Sequence, residues 1–448
     1  MKKIIIPLLI FLSFLSFYLF YLKSIPIRYE DEAYWIGRSY FFELFIKTDF
    51  NNPLWQSYYS YDQPKLAEYI YGFWLIPKYL IYKREHENID FGRFLIAHNL
   101  YSIKGKEYAE YKNNLSQFTE WGPQDYNVSS SELIKKYGDG FKKTVDLIFY
   151  TRSLNALLLA TNLVIIYFLI SSLSGTIIAL LTTLFYGINN LILTTGLIAH
   201  SEALFLFLFS FGLYLLVRIF SNKDCGIKTL FLFGTISGLV AQTKLNGFML
   251  LLFFWFFSIV YFLNNLWLKK LFNLKKKVIL FALVNITTFL VFVFLHLLLY
   301  HNTSNNIIKI FEFRKTSAMS SASLIGPSLL NFNSRLKAIY SNFFGENKIQ
   351  SYNGVVIAKF NSFYLSPILI LFFLLGTGSS LAIIVKHGNS FTRAEIFLSL
   401  FILLQIMMGF YLYIDWDRYY APLVLFFIYF QTLGFIRVLK FLKLKFNL

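Results

Sequence analysis

Long apolar segments recur along this chain and constrain its fold more than any other feature. A helix needs ~20 mostly apolar residues to cross the core of a bilayer. Segments that meet this test lie at 4–22, 147–170, 174–191, 201–220, 228–244, 246–265, 278–300, 362–385, 394–414 and 419–438. The sequence therefore predicts an all-α polytopic membrane protein, a bundle of about 10 transmembrane helices.

Composition excludes several classes of protein. The chain is 56% hydrophobic and only 15% charged, whereas soluble domains carry roughly 25% charged residues. Its net charge of +18 collects in short segments between apolar runs, and no basic patch is interleaved with aromatic residues as a nucleic-acid surface requires. The single Cys225 excludes a disulfide framework and a multi-thiolate metal site.

The distribution of Lys and Arg predicts the orientation in the membrane. Lys2 and Lys3 place the N-terminus in the cytoplasm, and the run 4–22 is too long for the apolar part of a cleaved signal peptide. The segments then predicted as cytoplasmic contain Lys223, Lys228, Lys269, Lys270, Lys275, Lys276, Lys277, Lys386, Arg393, Lys440, Lys443 and Lys445. We expect a multi-pass protein of the cell inner or plasma membrane, with both termini cytoplasmic.

Two long segments are predicted on the opposite, extracytoplasmic side. The resulting divisions are a first helix at 1–22, an outer loop at 23–146, helices two to seven at 147–300, a second outer loop at 301–361, and the last three helices with a basic tail at 362–448. Within the first loop, 31–48 and 64–82 combine aromatic, aliphatic and charged residues, which predicts interfacial helices. Residues 83–146 are expected to form a small polar insertion.

Carboxylates in the first outer loop are the strongest functional signal. Asp31 and Glu32 closely follow the first helix, and Asp62 lies in the same loop. Such groups are costly to desolvate near lipid, so they stay hydrated or take part in chemistry. Polar residues at predicted outer helix ends are Asp31, Glu32, Asp62, Lys65, Arg152, His200, Glu202, Lys244, Arg314, Asp415, Asp417 and Arg418. This set suits a reaction that needs a base and a stabiliser of anionic charge, although helix ends are also where charges reach water.

Four of these residues have two interpretations each. His200 and Glu202 are two positions apart and do not share a helix face, so they bind an acceptor or metal only with partners from elsewhere, or else form a polar helix start. Lys244 either contacts a phosphate or extends its side chain to the interface. Arg418 either clamps a phosphate or pairs with a neighbouring aspartate.

These residues together resemble the GT-C superfamily of membrane glycosyltransferases, and in particular glycosyltransferase family 39, which includes protein O-mannosyltransferases and lipid A aminoarabinose transferases. The matching elements, in order, are Asp31-Glu32, Asp62-Gln63-Pro64, Arg152-Ser153, Glu202, Thr243-Lys244 and Arg418-Tyr419-Tyr420-Ala421-Pro422. The second element departs from the family, which often has His-Pro-Pro or Lys-Pro-Pro where this chain has Gln63-Pro64-Lys65.

The resemblance implies a function and roles for these residues. A sugar would pass, with inversion, from a polyprenyl-phosphate donor in the membrane lipid to a hydroxyl of an acceptor protein, lipid or glycan. Asp31 would be the general base, and Glu32 and Asp62 would orient the acceptor or hold a divalent cation, which the sequence does not require. The donor phosphate would meet Lys244, Arg418 or Arg152. Further candidates for acceptor or metal binding are His200, Glu202, Gln63 and Lys65.

Two rival functions remain open at this point. A secondary transporter or flippase explains the apolar segments and intramembrane charges but not the long loop 23–146, and the chain lacks the two similar halves typical of transporters. A polymerase or ligase of lipid-linked polysaccharide shares the donor but not the early Asp31-Glu32 element. One cavity surrounded by Asp31, Asp62, Lys244 and Arg418 would favour the transferase, whereas scattered positions would favour the rivals.

Overall fold

The structure is a computed structural model that describes most of the chain. The described residues are 2–56, 58–87, 89–98, 100, 126–221, 226–267, 274–325, 329, 331–344, 349–350, 356–358, 366–386, 393–413 and 417–446. The first helices are α1 (Lys2–Tyr21), α2 (Tyr29–Gly37), α3 (Tyr40–Ile46), α4 (Tyr58–Asp62), α5 (Leu66–Glu85), α6 (Phe91–Ala97) and α7 (Ser130–Tyr137). There follow α8 (Lys142–Ser174), α9 (Thr176–Gly187), α10 (Asn190–Gly196), α11 (Glu202–Ser221), α12 (Ile227–Thr243), α13 (Met249–Trp267), α14 (Leu274–Phe294), α15 (Thr303–Ile325), α16 (Phe332–Phe344), α17 (Ser366–Lys386), α18 (Arg393–Tyr411) and α19 (Asp417–Phe446).

Each apolar segment predicted from the sequence overlaps a described helix, and the segment 174–191 is divided between α9 and α10, which confirms an all-α polytopic membrane protein. Among the described residues, five helices are long and apolar enough to cross a bilayer, and a sixth span results if α9 and α10, bent by 55°, count as one. The apolar parts of α12, α14, α17 and α18 are shorter. The number of spans, expected to be about 10 from apolar segment length, stays a prediction.

The described residues between α1 and α8 fold into helices of 5 to 20 residues and one two-stranded sheet. The first predicted interfacial piece forms two helices, α2 and α3, and the second forms α5. Strands β1 (Ile27–Arg28) and β2 (Tyr126–Val128) pair antiparallel, so the end of α1 is joined to the start of α7. Helix α7 begins with a capping box between Ser129 and Glu132. Much of the predicted polar insertion, residues 101–125, lies outside the described residues.

Glycines allow the C-terminal helices to pack closely. A Cβ atom on Gly376 of α17 would lie 1.9 Å from the carbonyl oxygen of Phe430 in α19. A Cβ atom on Gly434 of α19 would lie 1.8 Å from the carbonyl oxygen of Phe372. Small residues at helix contacts let backbones approach in membranes, where packing replaces the hydrophobic effect between helices. The pair α17–α19 therefore forms a backbone-to-backbone contact.

Two hydrophobic cores meet at the turn that precedes α11. The larger core lies among the membrane helices and includes Ile198, and the smaller core lies under α2, α3 and α6 and includes Ala199. The hydroxyl of Tyr71 donates a 2.6 Å hydrogen bond to the carbonyl of His200, and the amide of Asn155 donates to the carbonyl of Ile198. Buried backbone groups need such partners, so this turn is held in one conformation.

Candidate active site

A cavity of about 410 Å³ opens between α11, α13, α15, α18 and α19. One part of its wall is apolar and consists of Phe205, Leu206, Phe248, Met249, Leu252, Phe311, Leu404, Met407, Met408, Leu412, Ala421 and Pro422. The other part carries charge and contains Glu202, Lys244, Arg314, Lys315 and Arg418. A mostly apolar cavity with a few converging polar groups is the usual form of a small-molecule site. Four cations beside one carboxylate favour an anionic ligand.

Asp31 and Arg418 meet next to this cavity. Asp31 lies in α2 and Arg418 near the start of α19, and their side chains are 24% and 16% exposed. Arg418 Nη1 lies 3.4 Å from Asp31 Oδ2 and 2.7 Å from His200 Nε2. Since an arginine nitrogen only donates, His200 Nε2 accepts this bond. Asp31 is therefore joined to the cavity wall through Arg418.

His200 continues the connection to Glu202 and Lys244. His200 Nδ1 contacts one carboxylate oxygen of Glu202, at the start of α11, and Lys244 Nζ contacts the other. Burial lowers the pKa of His200, against the opposing effect of Glu202 and with a smaller contribution from Arg418. A neutral imidazole is consistent with its role as acceptor from Arg418. Asp31, Arg418, His200, Glu202 and Lys244 thus form one connected network, of which Arg418, Glu202 and Lys244 line the cavity.

Asp62 binds two arginines at the end of α4. Arg314 Nη1 of α15 lies 2.6 Å from Asp62 Oδ1, and Arg38 Nη1 lies 3.2 Å from Oδ2. Burial raises the pKa of Asp62, but Arg314 and Arg38 more than offset this and hold the pKa below its ordinary value. Arg314 is 28% exposed on its side chain and lines the cavity. Arg314 therefore connects Asp62 to the cavity, as Arg418 connects Asp31 to it.

Lys65 lies behind this cluster, away from the cavity lining. Its side chain is fully buried, with Nζ 3.1 Å from Glu68 Oε2, and its backbone N–H donates to Gln242. Burial lowers the pKa of Lys65 to about 7, against the opposing charge of Glu68. Gln63 is partly exposed and is also not part of the cavity lining. The roles predicted for Gln63 and Lys65 in acceptor or metal binding stay predictions.

Glu32 and Arg152 form a fully buried ion pair. Arg152 donates to both carboxylate oxygens of Glu32, from Nε at 2.8 Å and from Nη2 at 2.6 Å. Its other hydrogen bonds go to the carbonyls of Leu22, Ile25 and Pro26. Glu32 also accepts the backbone N–H groups of Arg28 and Ala199. Both side chains are 0% exposed and neither lines the cavity, and the phosphate and acceptor roles predicted for them stay predictions.

The structure adds cations that the sequence analysis did not assign to the site. Arg314 was among the polar residues at helix ends, but its pairing with Asp62 has no signal in the sequence because 252 positions separate the two. Arg38 and Lys315 were not identified. Asp415 lies outside the described residues, and for Asp417 only the backbone is described. The ion pair between Lys65 and Glu68 could be predicted from the sequence, because the two residues are three positions apart.

A metal ion has little support from this arrangement of side chains. Within the described ranges, no three His, Cys, Asp or Glu side chains form a group that could hold a metal ion. The carboxylates of Glu32 and Asp62 instead bind arginines. Hard cations prefer several oxygen ligands, and a divalent cation in this protein stays a prediction.

Part of the chain is similar to a known protein family. Residues 125–304 match the model of the dolichyl-phosphate-mannose-protein mannosyltransferase family. No curated protein and no solved structure matches the chain. The matched segment runs from β2 to the start of α15 and contains Arg152, His200, Glu202 and Lys244. The resemblance to glycosyltransferase family 39 is therefore confirmed over this segment, whereas Asp31, Asp62 and Arg418 lie outside it.

Proposed function

We propose that this protein is a membrane glycosyltransferase that moves a sugar from a polyprenyl-phosphate donor to an acceptor hydroxyl. One observation carries the proposal. A single cavity combines an apolar wall with the cations Lys244, Arg314 and Arg418, and Asp31 lies against Arg418. A lipid-linked sugar phosphate has the same three parts, a tail, a phosphate and a sugar. The family match over 125–304 supports this function.

The donor would lie across the cavity with its tail on the apolar wall. Leu252 and Phe311 line the cavity and are also exposed on the surface of the helices, so a tail can enter from the lipid between α13 and α15. The phosphate would then contact Lys244, Arg314 and Arg418. Arg offers paired donors to phosphate oxygens, and Lys offers a compact charge. In this position of the donor, the sugar would lie beside Arg418 and hence beside Asp31.

Asp31 would act as the general base in a single displacement. It takes the proton of the acceptor hydroxyl while that oxygen forms a bond to the anomeric carbon of the sugar. The bond from the anomeric carbon to the phosphate oxygen breaks, its electron pair stays on that oxygen, and the anomeric configuration inverts. Positioned bases contribute about 10²–10⁴-fold in rate. The second carboxylate, Asp62, would hold Arg314 at the phosphate.

The buried pair Glu32–Arg152 would position the base and not bind a substrate. It ties the chain after α1 to the start of α2 and to the turn before α11, as its hydrogen bonds to Ile25, Pro26 and Ala199 indicate. Asp31 directly precedes Glu32, so this clamp limits where the Asp31 carboxylate can lie. A catalytic group gains from being held by rigid neighbours.

The reaction would take place on the extracytoplasmic side of the membrane, with an acceptor that is a protein, a lipid or a glycan. Support for this side comes from Lys and Arg, which concentrate in the segments predicted as cytoplasmic. Asp31, Asp62, Lys244 and Arg418 all lie at helix ends predicted on the opposite side.

A transfer assay in membranes tests the proposal. Membranes containing the wild-type protein are given polyprenyl-phosphate mannose with a labelled sugar, and label in the endogenous protein, lipid and glycan fractions is counted. We expect transfer by the wild type and by Asp139→Asn, a control at an exposed aspartate of the same loop, and a loss of about 10²–10⁴-fold in Asp31→Asn. Full transfer by Asp31→Asn excludes Asp31 as the base. Movement of the labelled lipid across the bilayer without transfer favours the flippase.

A further inference from the structure

The charged part of the cavity is balanced except at one residue. Arg418 lies 3.4 Å from Asp31, Arg314 lies 2.6 Å from Asp62, and Lys244 contacts Glu202. The fourth cation on the wall is Lys315 of α15. Its side chain is exposed, and among the residues that the structure describes it has no hydrogen-bond or ion-pair partner. The cavity therefore offers one positive charge that no described carboxylate neutralises.

The phosphate of the proposed donor gains negative charge during transfer. In the donor it is a diester with one ionised oxygen. When the bond to the anomeric carbon breaks, the electron pair stays on the bridging oxygen and the product is a phosphate monoester, whose second pKa is about 6. The monoester carries about −1.5 to −2 charges at pH 7. A cation that contacts this oxygen therefore binds the product, and the transition state that precedes it, better than the donor.

We propose that Lys315 is the phosphate-binding residue that meets this additional charge. The inference rests on the proposed function and deepens it, because it assigns Lys315 to the leaving phosphate and the three paired cations to the charge already present in the donor. The neighbouring Arg314 is held by Asp62, so α15 is fixed beside the cavity while Lys315 stays available to the ligand. The affinity of the site for a lipid phosphate monoester then exceeds its affinity for a diester.

The test compares two soluble probes with the same farnesyl tail, one of which has a methyl group on the phosphate and therefore carries less negative charge. Farnesyl phosphate is a monoester, and farnesyl methyl phosphate is a diester with the same lipid. Binding of each to the purified full-length protein in detergent is measured at pH 7.5. We expect the wild type to prefer the monoester by about tenfold, which corresponds to about 1.4 kcal/mol, and Lys315→Met to lose most of this preference while its affinity for the diester stays within about twofold.

Two variants serve as controls for folding and for general charge. Lys309→Met removes an exposed lysine of the same helix that does not line the cavity, and it should keep the preference for the monoester. Lys315→Arg restores the charge and should also keep it. In the transfer assay, Lys315→Met should lower kcat about tenfold with little change in the KM for the donor.

The outcomes separate this inference from the proposed function. If the wild type does not transfer sugar but prefers the monoester through Lys315, the transferase fails and the charge assignment stands. If the wild type transfers sugar and Lys315→Met keeps both the monoester preference and kcat, the inference is overturned and the transferase stands. Equal loss of preference in Lys309→Met also overturns it, because the effect then comes from the overall charge of α15.

Discussion

Asp31 Oδ2 lies 3.4 Å from Arg418 Nη1, although 387 positions separate the two residues in the chain. The contact joins the loop after the first helix to the start of the last helix, and it is completed by the 2.7 Å bond from Arg418 to His200 Nε2. Arg418 lines the cavity. One guanidinium thus holds the proposed base beside the proposed phosphate site.

Arg418→Gln should reduce sugar transfer by about 10²-fold, a loss typical when a group that stabilises developing negative charge is removed. Arg418→Lys keeps the charge but not the planar guanidinium, whose other N–H groups can bind a phosphate while Nη1 contacts Asp31 and His200. Its transfer rate should therefore lie between those of the wild type and Arg418→Gln. The matched control is Arg437→Gln, at an exposed arginine of the same helix. Donor KM and kcat in membranes check the prediction, and wild-type values in Arg418→Gln would contradict it.

Glu32→Gln should destabilise the protein and not merely inactivate it. The change leaves Arg152 as a buried charge without its carboxylate, and breaking a buried pair costs about 3–5 kcal/mol. The midpoint of thermal unfolding in detergent should fall well below that of Asp31→Asn, whose side chain is partly exposed. A Glu32→Gln protein that unfolds at the wild-type temperature yet transfers no sugar would instead give Glu32 a direct part in the chemistry.

The buried Lys65 should make stability rise with pH. Burial lowers its pKa to about 7 in the folded protein, whereas the pKa of a lysine in an unfolded chain is about 10.4. Between these values the unfolded state binds more protons, so the free energy of unfolding increases as the pH rises. The unfolding temperature should therefore climb from pH 7 to pH 9.5 in the wild type and stay nearly level in Lys65→Met.

Lys47 is a control for Lys65, because its pKa is shifted in the opposite direction. A hydrogen bond with Glu43 raises the pKa of this exposed lysine, so its contribution is present at neutral pH and is lost as the pH rises through the folded pKa. Lys47→Met should keep the rise in unfolding temperature seen in the wild type. The same rise in Lys65→Met would show that other groups cause it.

Gly376→Ala should disrupt the contact between α17 and α19. The new Cβ atom would lie 1.9 Å from the carbonyl oxygen of Phe430, a backbone atom that cannot rotate away. Gly378→Ala changes the same helix where nothing lies within 4 Å of the new atom, and it should be neutral or slightly stabilising because Ala favours a helix by about 1 kcal/mol over Gly. Yield and unfolding temperature of the two variants in detergent test this, and equal values would contradict the close packing.

The predicted orientation is testable with the single cysteine of the chain. Cys225 lies in a segment predicted as cytoplasmic, so a membrane-impermeant maleimide should label it only after the cells are permeabilised. In a Cys225→Ser background, Glu87→Cys places a thiol at an exposed position between α5 and α6, and intact cells should label it. The reverse pattern would put Asp31 and Asp62 on the cytoplasmic side and remove the proposed site from an extracytoplasmic reaction.

The helices could be predicted from the sequence because each one depends mainly on its own residues. Each apolar segment forms a helix, since the length of an apolar run and the need for internal backbone hydrogen bonds in lipid are properties of the segment itself. The piece 31–48 was less well predicted. It forms α2 and α3 with a break near Arg38 and Ser39, where the Arg38 side chain turns inward to Asp62 and Glu68, and this tertiary contact has no periodicity in the sequence.

The sequence by itself determined the class of protein, the places of its helices and a set of polar residues at their ends. Only the tertiary structure decided what each polar residue touches. Asp31 and Glu32 are adjacent, yet one is a quarter exposed beside Arg418 and the other is fully buried on Arg152. Neighbours on a helix point about 100° apart, so adjacent side chains enter different surroundings. Which surroundings those are depends on residues hundreds of positions away, which only the packing of the helices brings together.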